Sequence, residues 1–372
     1  MNHLLPSLKL PRKIEDFFDM ALEKFFILFG LAEFRDDFKA SDIQLRSFCF
    51  LDEMKKRRAI CQAMKTFVGY NNRFKIKIHG KTFRFESLPT ASFKNKYTNR
   101  IADDKKLTKQ HCKKGGFPIA HGKSFWFWQK KKAVRFGVQQ LGFPLVLKPR
   151  FGSVSHHVTT NIQNSEELEN AINYAISYSP AYIVEKFITD SSVYRATIID
   201  FDFVACVKQL PANVVGDGAS TMSELIYKKN ADPQRGGPNQ KEFTLYKIVE
   251  DETTTNLLRQ KGYDHKTILK NGEIFYLQKD PFLKLGGDLI EVTPAAHPDN
   301  IELFRSVARF FDTRITGIDF IAKDIALSWK NQTCAILELN SAPCIELHHF
   351  PSSGAPTNPA GALTDMFFKY YL

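Results

Sequence analysis

The chain has 372 residues and a formal net charge of +12, so it exceeds one ordinary domain and two or three packed subdomains are expected. No apolar run is long enough to cross a membrane and the first residues lack a secretion-signal pattern, so we expect a cytoplasmic protein without a membrane partner. The six cysteines lack C-x-x-C spacing, which indicates free thiols and argues against a zinc site.

Positive charge is concentrated in the first third of the chain, notably at residues 55–58 and 130–132. Such a run is most often a solvated face. It also attracts acidic substrates, nucleotides or nucleic acid through its electrostatic field. Because no DNA- or RNA-binding motif accompanies it, a nucleic-acid partner is not expected.

Two helices and a hairpin are predicted before residue 90. Residues 13–39 carry apolar side chains at helical spacing, with Gly30 as a stop signal, and a second helix is predicted for residues 51–67. The period then changes to two, because residues 74–78 and 82–85 alternate around a short turn. This pattern predicts a β-hairpin.

The middle of the chain alternates between helical and strand patterns, each bounded by glycine, proline or a capping residue. The predicted helices are residues 101–115, 133–141 and 165–178, and the predicted strands are residues 117–120, 143–149, 181–188, 194–199 and 203–208.

Lys148 ends an apolar strand directly before the loop of residues 150–157. A lysine in this position can meet phosphate oxygens as a point charge, while backbone N–H groups of a small-residue loop bind the same oxygens. A solvated surface lysine is the equally weighted alternative at this point. The loop does not match the Walker A pattern, which requires G-x-x-x-x-G-K-[ST].

Two strands near the C-terminus, residues 317–320 and 335–340, carry polar side chains in an apolar context. Glu338 and Asn340 are two residues apart, so they point to the same face of a sheet, and Asp319 joins them if the two strands are neighbours. A cluster of hard oxygen donors is what Mg²⁺ takes when nucleotide phosphates share it. A hydrogen-bonded buried strand pair is the alternative, but burying a carboxylate without a cation is costly, so the pattern favours a metal site.

Several motifs occur in a fixed order from residue 104 onwards, and together they identify a resemblance. They are Asp104-Lys105-x-Leu107-Thr108-Lys109, Lys148-Pro149, Val184-Glu185-Lys186-Phe187-Ile188, Pro211-Ala212-Asn213-Val214-Val215-Gly216-Asp217-Gly218, Asn230-x-Asp232-Pro233-x-Arg235-Gly236, Gly286-Gly287-Asp288-x-Ile290-x-Val292-Thr293, Gly317-Ile318-Asp319 and Glu338-Leu339-Asn340. Over about residues 100–355 the chain resembles the ATP-grasp carboxylate–amine ligases, most of all the ligase modules of cyanophycin synthetase and bifunctional glutathione synthetase.

The resemblance implies an α+β fold of two lobes that clasp a nucleotide, and it implies roles for individual residues. Lys105 and Lys148 would hold the α- and β-phosphates, Gly152, Ser153 and Ser155 would form the loop over the γ-phosphate, and Glu185, Lys186 and Ile188 would contact adenine. Asp319, Glu338 and Asn340 would bind one or two Mg²⁺ ions, with Mn²⁺ as a substitute. The implied reaction phosphorylates a carboxylate with ATP and joins the resulting acyl phosphate to an amine.

Some positions depart from the family pattern. Gln209 and Gln278 stand where arginine is usual, and Lys279 is adjacent to the second of them. His156 and His157 lie in the phosphate loop where a further glycine is common. Arg195, which is retained, and Lys279 are therefore the candidate catalytic residues. His348 and His349 lie where the resemblance places a wall of the substrate side.

The leading interpretation is an ATP- and Mg²⁺-dependent ligase that forms an amide between an amino-acid or peptide carboxylate and an amine. The alternative is a nucleotide-binding relative with weak or no ligase activity that binds an acidic partner. An acidic polymer as substrate and a homo-oligomeric state are further expectations. We predict an N-terminal region at residues 1–98, a small lobe at 99–190 and a large lobe with the metal site at 191–372.

Overall fold

The computed structural model describes Glu23 and residues 25–89, 104–151, 157–237 and 239–372. The chain divides into two compact units, Met1–Pro89 with Leu372, and Thr90–Tyr371. The predicted boundary between two lobes near residue 190 lies inside the second unit and remains a prediction. Within the described residues, no helix is long and apolar enough to cross a membrane.

The first unit is a four-stranded antiparallel sheet with one helix. Its strands β1 (Ala32–Arg35), β2 (Ile60–Thr66), β3 (Gly69–Ile78) and β4 (Lys81–Glu86) follow one another in the sheet, and α1 (Leu45–Lys56) packs against β2. The predicted hairpin is confirmed. Ile78 pairs with Lys81, and the two turn residues, His79 and Gly80, have φ values of 47° and 74°. Positive φ at both positions is the geometry of a type I′ turn.

Two helix predictions in this unit are partly wrong. Residues 25–28 are helical and Gly30 ends the helix with a φ of 69°, but β1 follows where the helical pattern had extended to residue 39. The predicted helix at 51–67 ends at Lys56, and its second half is β2. β2 pairs with both β1 and β3, so backbone pairing on two sides overrides the local helical spacing. Residues 13–22 lie outside the described part of the chain.

The second unit begins with helix α2 (Lys105–Lys114) and a four-stranded sheet in the order β5-β8-β6-β7. Leu145, Leu147, Ile172 and Val184 are fully buried between this sheet and its helices. The elements are β5 (Gly122–Trp126), α3 (Lys130–Phe136), β6 (Leu145–Pro149), β7 (Thr159–Ile162), α4 (Ser165–Ile176) and β8 (Ala181–Lys186).

The predicted elements of this region are confirmed apart from one strand. Residues 117–120 form no strand, since only Ile119 makes an isolated bridge, to Ile336, and the strand begins instead at Gly122. The predicted start of the first helix at residues 101–103 lies outside the described residues, but its end at Gly115 is confirmed. Asn164, one residue before the predicted cap, accepts the N–H of Glu167 and caps α4.

A five-stranded sheet in the order β15-β10-β9-β16-β17 forms the rest of the framework. A separate small module pairs β11 with β14 and buries Val214, Met222, Leu258 and Phe275. The elements are β9 (Ser192–Ile199), β10 (Phe203–Leu210), β11 (Asn213–Val215), α5 (Met222–Asn230), β12 (Arg235–Gly236), β13 (Leu245–Tyr246), α6 (Glu252–Gln260), β14 (Ile274–Tyr276), β15 (Asp288–Glu291), α7 (Pro298–Phe310), β16 (Ile315–Ala322), β17 (Cys334–Asn340) and α8 (Pro359–Tyr371).

Candidate active site

Three neighbouring strands of the five-stranded sheet place charged side chains in one row. Asp319 on β16 pairs with Arg195 on β9 and with Glu338 on β17. Directly paired residues point to the same face of a sheet. The other face is apolar, and Phe320 is fully buried there with its ring centroid 5.3 Å from that of Phe304 on α7. The sheet therefore buries one face and presents a row of charges on the other.

The first two members of the row form a bidentate ion pair. Arg195 Nη2 lies 2.9 Å from Asp319 Oδ2, Arg195 Nε contacts Oδ1, and each side chain is 13% exposed. Burial raises the pKa of Asp319, Arg195 opposes this rise, and neighbouring Glu338 adds to it. Burial acts to lower the pKa of Arg195, but Asp319 more than offsets this and the net shift is upward. The guanidinium is therefore held charged beside the carboxylates.

Asp319, Glu338 and Asn340 have the chemistry of a magnesium site. Asn340 Nδ2 lies 3.5 Å from Glu338 Oε1, so the amide and the carboxylate emerge side by side as the spacing predicted. Two carboxylates and an amide are hard oxygen donors of the kind Mg²⁺ takes. Among the described residues no group of three or more His, Cys, Asp or Glu side chains is placed to hold a metal, and this set contains two carboxylates beside the Asn340 amide. The residues present fit the expected ion.

Gly317 has no side chain and so leaves space for the side chain of Arg195. A Cβ atom at Gly317 would lie 3.2 Å from Pro343 Cβ and 3.4 Å from both Cδ and Nη1 of Arg195. Contacts at the shorter of these distances are tighter than those of most real Cβ atoms. The glycine of the Gly-Ile-Asp motif thus allows the arginine side chain to lie flat across its strand.

Two lysines share one buried carboxylate on β8. Glu185 Oε1 lies 2.7 Å from Lys109 Nζ and Glu185 Oε2 lies 3.0 Å from Lys148 Nζ, and Lys109 also donates to the carbonyl of Ala120 at 2.7 Å. Burial acts to raise the pKa of Glu185, but Lys148 and Lys109 lower it overall. The pKa of Lys109 is lowered, chiefly by burial. The carboxylate therefore fixes the position of Lys148.

Lys105 joins the lysines to the charged row. Its Nζ lies 3.6 Å from Glu338 Oε2, and burial is the main cause that lowers its pKa, with the charge of Lys148 acting in the same direction. Burial acts to raise the pKa of Glu338, while Asp319 and Lys105 lower it overall. The start of α2 and the end of β6 thus bring the ammonium groups of Lys105 and Lys148 to the edge of the carboxylate pair formed by Asp319 and Glu338.

Asp104 and Arg150 tie the two lysine-bearing segments together. Asp104 Oδ1 accepts the N–H groups of Lys106 at 3.0 Å and Leu107 at 3.3 Å, which caps α2 one residue before Lys105. The same carboxylate receives Arg150 through two bonds, of 2.9 and 2.6 Å. This pair was missed in the sequence, although a capping aspartate before α2 and an arginine after Lys148-Pro149 were visible signals.

The remaining predicted site residues are distributed around this centre. Lys186 Nζ donates to the carbonyls of Gly142 at 3.1 Å and Phe143 at 2.7 Å, and the carbonyl of Ile188 accepts the hydroxyl of Ser191. Lys279 is exposed. Gly152, Ser153 and Ser155, the predicted phosphate loop, lie outside the described residues. The structure thus brings together Lys105, Lys148, Glu185, Arg195, Asp319, Glu338 and Asn340. Among the described residues, no side-chain hydrogen bond or ion pair joins Lys186, Ile188 or Lys279 to this group.

Three of the ordered motifs meet at Asp288 and form a buried polar network. Asn213 donates to Asp288 Oδ2 at 2.8 Å, Lys229 Nζ lies 2.6 Å from the same oxygen, and Arg235 binds Oδ1. Arg235 also donates to the carbonyl of Tyr246 at 2.8 Å. These residues hold loops of the small module against β15, so the three motifs have a structural role at Asp288.

The two glutamines at the departure positions lie in different surroundings. Gln278 is buried in the small module, where Nε2 donates to Asp251 Oδ1 at 2.9 Å and approaches Thr254 Oγ1 at 3.3 Å. Gln209 is half-buried on β10, opposite Leu289 of β15. Gln278 is therefore part of the module's own packing.

His348 is not on an open wall of the site, which corrects that expectation. It is fully buried, with Nε2 2.8 Å from Thr197 Oγ1 and Nδ1 3.2 Å from Glu291 Oε2. Burial lowers the pKa of the imidazole, partly opposed by Glu291. Its partners lie on β9 and β15, so His348 connects the segment after β17 to the interior of the sheet.

His157 lies in the region where the family commonly has a glycine, and its backbone has a conformation that glycine favours. Its φ is 58°, in the left-handed region where glycine is favoured. The ring stacks on Tyr174 at 4.3 Å and on Tyr178 at 4.8 Å between centroids. These two tyrosines, from α4 and the residues just after it, supply contacts that a glycine would lack.

Comparisons with known proteins bear on the family and the fold of the chain. No protein-family model matches the chain. The cyanophycin synthetase of Trichormus variabilis is 34% identical over 269 residues, 72% of this chain and 29% of the relative. The glutathione biosynthesis bifunctional protein of Clostridium perfringens is 28% identical over 347 residues, 91% of this chain and 44% of the relative.

Among solved structures, a bifunctional glutathione synthetase from Pasteurella multocida has a TM-score of 0.68 at 21% identity, covering 88% of this chain and 44% of that one. This likeness confirms the predicted α+β, ATP-grasp architecture. The chain spans less than a third of the length of the cyanophycin synthetase and less than half of the bifunctional protein.

Proposed function

Because the chain is an ATP-grasp protein related to cyanophycin synthetases and bifunctional glutathione synthetases, we propose that it is an ATP-dependent carboxylate–amine ligase. The substrates are an amino-acid or peptide carboxylate and an amine, the intermediate is an acyl phosphate, and the products are an amide, ADP and phosphate. The single observation that carries the proposal is the row of Arg195, Asp319 and Glu338 with Lys105 at its end.

Lys105 and Lys148 are the residues proposed to bind the nucleotide phosphates. Their ammonium groups lie in a largely buried region, where a fixed positive charge stabilises developing negative charge more strongly than it does in water. Glu185 holds Lys148 in place, so the lysine is positioned before ligand arrives. Phosphoryl transfer depends mainly on such positioning and charge neutralisation, and no protein nucleophile is required.

Asp319, Glu338 and Asn340 are the residues that would hold Mg²⁺. When bound, the ion supplies charge neutralisation at the transferring phosphoryl group. Mn²⁺ accepts the same oxygen donors and is the proposed substitute. One or two ions are proposed for this donor set.

Arg195 is proposed to bind an anionic group of the substrate. Its Nε and Nη2 hold Asp319, while Nη1 makes no hydrogen bond within the described residues. The guanidinium therefore keeps a donor for a carboxylate or phosphate and stays fixed by its ion pair. Such a donor needs little reorganisation when negative charge develops.

Several parts of the proposal rest on the resemblance alone. The loop of Gly152, Ser153 and Ser155 is proposed to cover the γ-phosphate, and Lys186 and Ile188 are proposed to contact adenine together with Glu185. Lys279 is proposed to supply a charge beside Gln278. An acidic polymer as one substrate and a homo-oligomeric state are likewise proposals.

The proposal is tested by ATP-dependent ADP release over a matrix of amino acids, short peptides and acidic polymers in the presence of Mg²⁺, with products identified by mass. Release of ADP together with one new amide linkage identifies the ligase and both substrates. ATP binding without ADP release across the whole matrix would contradict ligase activity. It would point instead to a nucleotide-binding protein and direct attention to Gln209 and Gln278.

A further inference from the structure

Three consecutive aromatic residues, Trp126, Phe127 and Trp128, form an exposed aromatic tip at the end of β5. Their exposed fractions are 37%, 52% and 65%. The tip lies on the edge strand of the β5-β8-β6-β7 sheet and leads directly into α3. Large aromatic side chains that are exposed side by side are unusual on a protein surface and mark an interaction site. The tip lies beside Arg150, the residue that leads into the proposed phosphate loop.

The rings of the tip are ordered by contacts within the chain. Trp126 and Trp128 stack with 5.3 Å between centroids and an interplanar angle of 6°. Phe127 packs edge-on against Trp128 at 4.9 Å, and the Arg150 guanidinium lies 6.0 Å from the Trp126 centroid. Contacts within the chain therefore hold the three rings in one arrangement while they remain exposed.

The surroundings of the tip are positively charged. Lys123, Lys131 and Lys132 are exposed and form no ion pair with any described residue. Two acidic residues of this sheet region are already paired, because Glu169 lies 3.0 Å from Lys130 and Asp104 binds Arg150 at 2.6 Å. The three free lysines thus flank the tip on β5 and in the first turn of α3.

We propose that the aromatic tip docks on an anionic lipid surface. Tryptophan and phenylalanine rings settle at the headgroup boundary of a bilayer, and neighbouring lysines are attracted to negatively charged headgroups. A second copy of the chain fits less well. A two-fold symmetric contact would place the lysines of the two copies opposite each other, and their like charges would repel. This contact differs from a membrane span, and it departs from the expectation, drawn from the sequence, that the chain has no membrane partner. Its test does not depend on the proposed ligase activity.

The test is co-sedimentation of the full chain with vesicles of phosphatidylcholine, with or without phosphatidylglycerol. Trp126, Trp128 and the half-buried Trp329 are the three tryptophans of the chain, so emission reports mainly on the tip. We expect binding only to the anionic vesicles, with a blue shift of the emission, and weakening as salt is raised. Phe127→Ser with Trp128→Ser should abolish both the binding and the shift.

A charge variant separates the electrostatic part of the interaction. Each lysine near an anionic membrane contributes about 1 kcal/mol. Replacing Lys123, Lys131 and Lys132 by Gln should therefore weaken vesicle binding about 100-fold. The control replaces three exposed lysines elsewhere, Lys261, Lys266 and Lys270, by Gln and should bind as the wild type does.

Three outcomes would overturn the proposal. They are failure of the wild-type chain to bind anionic vesicles, equal binding by both lysine variants, and binding to polyglutamate or single-stranded DNA without vesicle binding. The last outcome would assign the tip to an acidic protein or a nucleic acid. Because the changed residues are exposed, circular dichroism should show unaltered folding in every variant.

Discussion

Arg195 binds both carboxylate oxygens of Asp319 across the neighbouring strands β9 and β16. The pair links a candidate substrate-binding cation to a candidate metal ligand, so disturbing one disturbs the other. The contact also explains how a buried arginine and two carboxylates coexist, because the opposite charges offset the cost of burial.

Arg195→Ala should lower ligase turnover about 10²–10³-fold, the loss typical of removing one fixed donor from a site of developing charge. ATP binding should be affected much less, since Lys105 and Lys148, the lysines proposed to bind the phosphates, remain. Steady-state kinetics and ATP titration measure the two effects. The control is Arg259→Ala on α6, a solvent-facing arginine whose neighbour is Asn256. Equal turnover in the two variants would show that Arg195 does not take part in the reaction.

Gly317→Ala should reduce turnover while leaving the fold intact. The new Cβ would press on Pro343 and on Arg195, as the distances of 3.2 and 3.4 Å show. The arginine side chain can shift, so the substitution should misplace Arg195 and lower turnover more than it lowers the free energy of unfolding. Denaturant unfolding and turnover, measured on the same preparation, distinguish the two. A variant with wild-type turnover would show that the position of Arg195 is not critical.

Glu185→Gln should destabilise the protein by about 3–5 kcal/mol at neutral pH, because it leaves two buried ammonium groups without their shared carboxylate. The pKa of Glu185 is lowered in the folded state, so its contribution is present above the unfolded value of about 4.3 and is lost as the pH falls through the folded value. Urea unfolding from pH 7 down to pH 3 should therefore show a smaller loss of stability for Glu185→Gln than for the wild type.

Glu166→Gln is the control for that series, because Glu166 is exposed on the first turn of α4. It should follow the wild-type pH profile closely. If Glu185→Gln proves as stable as this control at neutral pH, the carboxylate does not bind the two lysines in solution.

The geometry of the candidate metal ligands was predictable from the sequence, because a strand has an exact period of two. Glu338 and Asn340 had to share a face, and only the pairing of β16 with β17 had to be assumed. The hairpin of β3 and β4 was predictable for the same reason, with a glycine in its turn.

The lysine arrangement was not predictable in this way. Lys109 and Glu185 are 76 positions apart and meet because α2, which packs against β17, brings Lys109 to β8. The resemblance implied an adenine contact for Glu185, which stays a prediction, and the sequence indicated no partner for Lys109, since no local rule couples a helix residue to a distant strand. β2 was missed because its two neighbours, β1 and β3, supply the pairing that its own pattern did not indicate.

His157→Gly and His157→Ala should separate backbone conformation from ring stacking. A left-handed φ costs a non-glycine residue about 1–2 kcal/mol, while the stacking on Tyr174 and Tyr178 offsets it. Both variants lose the stack, but only Ala keeps the backbone cost. Thermal or denaturant unfolding should therefore rank wild type and Gly above Ala. An Ala variant as stable as the Gly variant would show that the left-handed conformation is not maintained.

The most direct test of the account is the ADP-release assay applied to Glu338→Gln with the substrate pair that the wild type uses. The variant keeps the shape of the side chain but loses the carboxylate that faces Asp319 and Lys105. We expect the variant to stay folded while turnover falls at least about 100-fold. Wild-type turnover in Glu338→Gln, with substrates and Mg²⁺ at the same concentrations, would contradict the assignment of this row of residues as the active site.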